Sequence, residues 1–195
     1  GQFISCDKKV ITTNENTATI IENTKIEEIK TEVFRQPVVF ITGIDKETNE
    51  FYKKAREYFL NKKYEVVDYT FSLQEIFSWL NNNYDGNTYG EIHIVSHGNP
   101  WKGLSMETLI NGERVTTEHV RRAITMGKLP TLKEGISKKT KVVFHSCGLG
   151  ENADLMKTLK DAFVGKEVPS VLASPYYTIF GGEFSEHYLA KPYYV

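Results

Sequence analysis

The chain has 195 residues, with 24 Lys+Arg against 25 Asp+Glu and a formal charge of −1 with His neutral. That is enough for one domain with a sizeable core and too little for two full ones. Hydrophobic residues at 40% and charged residues at 25% exclude a disordered chain; the balanced charge removes the basic surplus that nucleic-acid binding needs, and no apolar run approaches the ~18 residues that span a bilayer.

Residues 1–34 are rich in Thr, Asn, Glu and Lys and read as a polar extension ahead of a domain over 35–195. The runs Val10 to Thr13 and Thr17 to Ile21, separated by Asn14-Glu15-Asn16, fit a small β-hairpin. Phe3-Ile4-Ser5-Cys6 resembles the end of a bacterial lipoprotein signal peptide, which would make Cys6 the lipidated residue of a truncated leader. On that resemblance the protein belongs to the cell envelope or is secreted. Without it, Cys6 is an ordinary residue of a polar tail and a cytoplasmic location is expected. Cys6 and Cys147, the two cysteines, cannot make a disulfide framework, and their settings argue against pairing.

From residue 37 the pattern is regular. Val38-Val39-Phe40-Ile41, closed by Thr42-Gly43, is a continuous apolar run and predicts a strand buried on both faces. Phe51, Tyr52, Ala55, Tyr58 and Phe59 form a helical stripe. Tyr64 to Tyr69 predicts a second strand, and Leu73, Ile76, Phe77 and Leu80 a second helix, with Ser72 and Glu75 as its capping box. Ile92 to Ser96 is a third strand that stops at His97-Gly98. Asn111-Gly112 between apolar residues signals a hairpin, and Thr116 or Thr117 caps a helix through Val120 and Ile124. Val142-Val143-Phe144 is a fourth strand, ending at His145-Ser146-Cys147-Gly148. A helix through Leu155, Met156, Leu159 and Phe163 then leads to a fifth strand, Val171-Leu172-Ala173. This alternation predicts an α/β fold: a mostly parallel central sheet with helices on both faces.

In such a sheet ligands bind at the carboxyl ends of the strands, where the pattern puts both His97 and Cys147. A lone cysteine there has two readings. It is a small buried hydrophobe, or a nucleophile whose thiolate is favoured by a neighbouring imidazole. The glycine after each residue allows backbone N–H groups to approach a substrate carbonyl oxygen.

An apolar strand ending in His-Gly, then a later one ending in a small residue and Cys, resembles the caspase-like cysteine peptidases: caspases, metacaspases, legumain, clostripain and gingipains. The separation of His97 and Cys147 is 147 − 97 = 50 residues, close to the roughly 50 of caspases. The likeness spans about residues 37–182, and it extends to a caspase-like domain of large bacterial exoproteins in which the His-Gly is also followed by a hairpin. The resemblance implies a three-layer sandwich and a protein or peptide substrate, with no cofactor and no metal. It implies His97 as general base, Cys147 as nucleophile through a thioester intermediate, and the N–H groups of Gly98 and Cys147 as the oxyanion site. Trp101, Ser174 and Tyr176 fall where relatives build the substrate groove. His145, two positions before the nucleophile, falls where Arg- and Lys-specific relatives carry an acid. A histidine supplies no fixed negative charge, so a preference against basic P1 residues is expected unless Asp45, Glu151 or Glu183 compensates.

Two rivals stand beside this reading. A caspase-like domain can keep the fold as a catalytically silent binding or scaffolding module. Alternatively, His93 with His97, and His145 with Cys147, present four zinc-type ligands, although His93 within an apolar strand fits a core histidine. His119 on its helix and His187 in the tail read as solvated, as does the run Lys133, Lys138, Lys139 and Lys141, which in relatives would fall where processing occurs.

Overall fold

The computed structural model describes residues 31–174 and, as backbone, the strand segments 176–179 and 188–192. Chain contacts separate Gly1–Thr31 from Glu32–Val195. The expected hairpin and the lipoprotein-like Phe3 to Cys6 lie outside the described residues.

Within the second unit the elements run β1 (Val38–Ile41), α1 (Glu50–Asn61), β2 (Glu65–Val67), α2 (Leu73–Asn82), β3 (Glu91–Val95), α3 (Thr117–Thr125), β4 (Lys141–His145), α4 (Ala153–Ala162) and β5 (Ser170–Ala173). The five strands form one sheet in the order β2-β1-β3-β4-β5, every neighbouring pair parallel. The order reverses between β1 and β3, which opens a crevice at their carboxyl ends, the usual ligand position in open α/β sheets. Shorter pairings surround the sheet. Phe34–Arg35 runs parallel to Thr88–Tyr89, Gly98–Asn99 antiparallel to Gly103–Leu104, and Tyr176–Ile179 antiparallel to Tyr188–Pro192.

Strand side chains alternate between faces, and the core divides accordingly. Even-numbered Val38, Phe40, Ile92, Ile94, Val142 and Phe144 pack with Leu73, Ile76, Phe77 and Leu80 of α2, Val120 of α3, and Leu155 and Leu159 of α4. Odd-numbered Val39, Ile41 and Val95 pack with Tyr52, Ala55 and Phe59 of α1. Helices therefore cover both faces, as the apolar runs predict. None of the helices among the described residues is long and apolar enough to cross a membrane.

Local signals explain the helix starts. Thr116 is the cap of α3, its side chain accepting from His119 N–H. Asn111-Gly112 makes a turn, with Asn111 at φ 55° and Gly112 N–H donating to Leu109 O at 2.9 Å. The flanks form only a single bridge, Glu107 to Arg114, in place of a full ladder. The second arm is diverted because Leu104 N–H donates to Val115 O and the Arg114 guanidinium bonds Leu104 O and Ser105 Oγ. Likewise His119, expected in solvent, is held between Arg114 O and the Glu113 carboxylate, each at 2.9 Å.

Ser72 caps α2 with a complete capping box. Its Oγ accepts from Glu75 N–H at 3.1 Å while Glu75 Oε2 accepts from the N–H groups of Phe71 and Ser72, both at 2.9 Å. Ser72→Ala is expected to cost about 1 kcal/mol, a typical cap loss, read as a lower urea midpoint at unchanged slope. A midpoint equal to wild type would show that the box does not hold this helix start.

Candidate active site

The register of β3 on β4 runs in step from Glu91 with Lys141 to Val95 with His145, and Ser96 N–H still donates to His145 O at 3.4 Å. The ladder ends there: His97 follows β3 by two residues and Cys147 lies in the turn two residues after β4. The two turns are packed against each other. A Cβ on Gly98 would meet Ser146 Cβ at 3.0 Å and Cys147 O at 3.5 Å. Gly148, at φ 67°, takes a left-handed conformation that disfavours side chains, and a Cβ there would meet Pro100 Cδ at 2.9 Å. Asn152, the cap of α4, also donates through Nδ2 to Pro100 O at 2.7 Å. Cys147 is half-buried and is not part of a disulfide.

His97 is held from the α1 side. Its ring stacks on Phe51 at 4.5 Å and meets Tyr52 edge-on at 5.0 Å. Its backbone N–H donates to the Tyr52 hydroxyl at 2.8 Å, and that hydroxyl donates to Asp45 Oδ1 at 3.2 Å. Burial pushes the Tyr52 hydroxyl well above the ordinary tyrosine range, so it stays a donor. Asn49 Nδ2 donates to Asp45 Oδ2 at 3.1 Å, and that oxygen lies 3.8 Å from His97 Nε2. This is ion-pair rather than hydrogen-bond distance, and it leaves the buried Nε2 without a hydrogen bond; such contacts commonly tighten when substrate binds. Gly43 provides the space, since a Cβ there would lie 2.1 Å from the Tyr52 oxygen.

Gly98 pairs with Leu104 in the small hairpin after His97. Because Ser105 N–H donates to His97 O at 2.8 Å, residues 97 and 105 form the hydrogen-bonded pair. Gly98 falls in the next, non-hydrogen-bonded pair, so its N–H points away from that strand. At the tip of this hairpin Trp101 is 68% exposed, with Asn99 Oδ1 accepting from its backbone N–H at 2.9 Å. Ser174, buried at the end of β5, accepts through its carbonyl from Gly150 N–H at 2.8 Å and so ties β5 to the turn after Cys147. Tyr176 opens the antiparallel pair beyond β5, and its side chain lies outside the described residues, as do Glu183 and His187.

His145 occupies different surroundings from those anticipated, whereas His93 is the core histidine its apolar strand suggested. His145 is 3% exposed on the α1 face of the sheet, with Phe59 edge-on at 5.3 Å and His93 Nδ1 2.8 Å from its Nε2. Its Nε2 is therefore engaged in the interior, where the resemblance had assigned it to a substrate groove. His93 is a core histidine with both ring nitrogens engaged, the second at 2.9 Å from Glu91 Oε2. Among the described residues no group of three or more His, Cys, Asp or Glu side chains is arranged to hold a metal ion.

The sequence reading missed the support of His97 by Tyr52 and Asp45, and the Glu91–His93–His145 line. Tyr52 was visible only as one residue of a helical stripe, and Asp45 only as an acid after β1. No family model matches the chain, and neither a curated protein nor a solved structure matches it.

Removing the Tyr52 hydroxyl leaves the buried His97 N–H without its acceptor. Tyr52→Phe is expected to lower unfolding stability by about 1–3 kcal/mol in urea titrations. A loss below about 0.5 kcal/mol, the scale of an ordinary surface change, would mean that this hydroxyl does not support the His97 backbone.

Proposed function

We propose that this protein is a cysteine endopeptidase with a caspase-like sandwich fold. The observation that supports the reading is that the paired strands β3 and β4 end two residues before His97 and Cys147, and that the turns after them pack together, a Cβ on Gly98 meeting Cys147 O at 3.5 Å. The strand order and the helices on both faces agree with it. In the proposed reaction the Cys147 sulfur attacks the scissile carbonyl carbon as His97 accepts the thiol proton. The developing oxyanion is received by the N–H groups of Gly98 and Cys147. The amide bond breaks, His97 returns the proton to the leaving amine, and water, deprotonated by His97, hydrolyses the thioester. Asp45 Oδ2, at 3.8 Å from His97 Nε2, orients the ring and offsets its positive charge, the role of the acid in a triad.

Specificity follows from where the acids are. Asp45 accepts from Tyr52 and Asn49 and faces His97, so it is not available to neutralise a basic P1 side chain. A buried unpaired cation is costly, by several kcal/mol in effective terms. The enzyme is read as one that disfavours Arg and Lys at P1, with Trp101, Ser174 and Tyr176 bordering the groove.

A panel of peptidyl acyloxymethyl ketones with varied P1, followed by mass-spectrometric location of the adduct, tests this reading. Labelling of Cys147, fastest with a neutral P1 and reduced by 10²-fold or more in His97→Ala, is expected, the usual scale for loss of a general base. Fastest labelling by Arg or Lys probes would overturn the specificity and direct attention to Glu151 and Glu183. Failure of every probe to label Cys147 would favour the silent binding domain.

A further inference from the structure

The acid beside His97 sits on a loop with little packing of its own. Between β1 and α1, Ile44 is 67% exposed, Glu47 and Thr48 are exposed, and Asp45 is half-buried. Within residues 44–48 only Lys46 is buried, at 9% exposure. An apolar side chain would serve if packing were all that this position required. A lysine is the costlier choice, because a buried ammonium must find acceptors.

The segment after β2 supplies them. Lys46 Nζ donates to Asp68 O and reaches Thr70 O at 3.5 Å. It also stands 3.8 Å from the centre of the Phe71 ring, whose face attracts a cation. Burial holds the ammonium below the ordinary lysine range, with Glu47 and Glu75 acting against it. The segment that carries these acceptors is itself fixed on three sides. The Asp68 carboxylate pairs with Arg56 of α1. Phe71 N–H donates to Glu75 Oε2 at 2.9 Å, and Phe71 O accepts from Glu107 N–H at 3.0 Å.

Asp45 therefore lies between two anchors. On one side Ile44 N–H donates to Ser105 O at 3.0 Å, and Ser105 N–H donates to His97 O at 2.8 Å, which ties the loop to the His97 backbone. On the other side is the Lys46 ammonium. These anchors fix where the Asp45 backbone sits, while Tyr52 OH and Asn49 Nδ2 fix how its carboxylate points. Together they set the 3.8 Å between Asp45 Oδ2 and His97 Nε2.

We propose that Lys46 is a positioning residue for the base, resting on the reading of His97 in that role. By fastening the loop between β1 and α1 to the segment after β2, its ammonium keeps the Asp45 carboxylate in place beside the His97 ring. Lys46 touches neither substrate nor the reacting atoms. It acts through Asp45.

Lys46→Met keeps the length of the stem and removes the ammonium. Its effect is read on labelling of Cys147 by a peptidyl acyloxymethyl ketone, as the limiting rate at saturating probe and as the half-saturating concentration. The limiting rate is expected to fall about 10-fold, within the roughly 10²-fold that a small misplacement can cost, with the half-saturating concentration unchanged. Asp45→Asn should lower the same rate. Adding Lys46→Met to Asp45→Asn should lower it little further, because two residues that act through one group are not additive. A wild-type limiting rate in folded Lys46→Met protein would overturn the proposal. So would a full additional loss in the double variant, which is what a general loosening of the fold gives, or a change confined to the half-saturating concentration. Circular dichroism and the urea midpoint report whether Lys46→Met is folded. If it is not, Lys46→Gln, one atom shorter in reach, takes its place under the same criteria. His97→Ala separates the two readings. If wild-type Cys147 is not labelled, or is labelled as fast in His97→Ala, the base reading falls and the role of Lys46 with it. If labelling depends on His97 but Lys46→Met leaves its limiting rate in place, only the role of Lys46 falls.

Discussion

Val95 and His145 stand opposite each other in parallel register, and everything proposed for this protein depends on that alignment. A slip of one residue would turn every side chain of β4 to the other face. It would carry His145 away from His93 and shift the turn that holds Cys147. The register is fixed by burial on both faces. Ile92, Ile94, Val142 and Phe144 are committed to the layer of α2 and α4, and Val95 to that of α1. Once those side chains are seated, the strand ends have one relative position, and the glycines that follow allow the two turns to close on each other.

The α1 layer gives the site its chemical character. On one face of the sheet the helices enclose aliphatic and aromatic side chains; on the other, α1 encloses apolar residues together with a set of oriented polar groups. Tyr52 joins the His97 backbone to Asp45, and Glu91, His93 and His145 form a continuous hydrogen-bonded line beneath. Buried polar groups of this kind are costly unless satisfied, and His93, with both ring nitrogens engaged, shows how completely this line is satisfied. The buried Nε2 of His97 is the contrast: it has a carboxylate nearby but no hydrogen bond.

Much of the architecture was legible in the sequence because strands buried on both faces must be apolar throughout. Val38–Ile41, Glu91–Val95 and Lys141–His145 fall where their apolar runs are. The edge strand Glu65–Val67 is shorter than the Tyr64 to Tyr69 run suggested, since Tyr69 is exposed and leaves the sheet. The positions of His97 and Cys147 at strand ends were also legible, because a polar residue followed by glycine ends an apolar run visibly. Which way a histidine side chain points was not. His145 was assigned to a groove by the resemblance, from its place two positions before Cys147. Its burial depends on Phe59 and His93, which come from two other segments and carry no joint signal in a single chain. The same holds for Asp45, whose partners Asn49, Tyr52 and His97 are assembled only by the fold.

The central claim is that the register brings a base and a nucleophile together around one carbonyl. The most direct test is a crystal structure of the protein inactivated by a peptidyl acyloxymethyl ketone. The account expects a thioether bond to Cys147 Sγ and the ketone oxygen within hydrogen-bond reach of the Gly98 and Cys147 N–H groups. It also expects the His97 ring beside the sulfur with Asp45 drawn closer behind it. A Cys147 left unmodified at saturating reagent, or an adduct with His97 more than about two strand spacings from the sulfur, would contradict it.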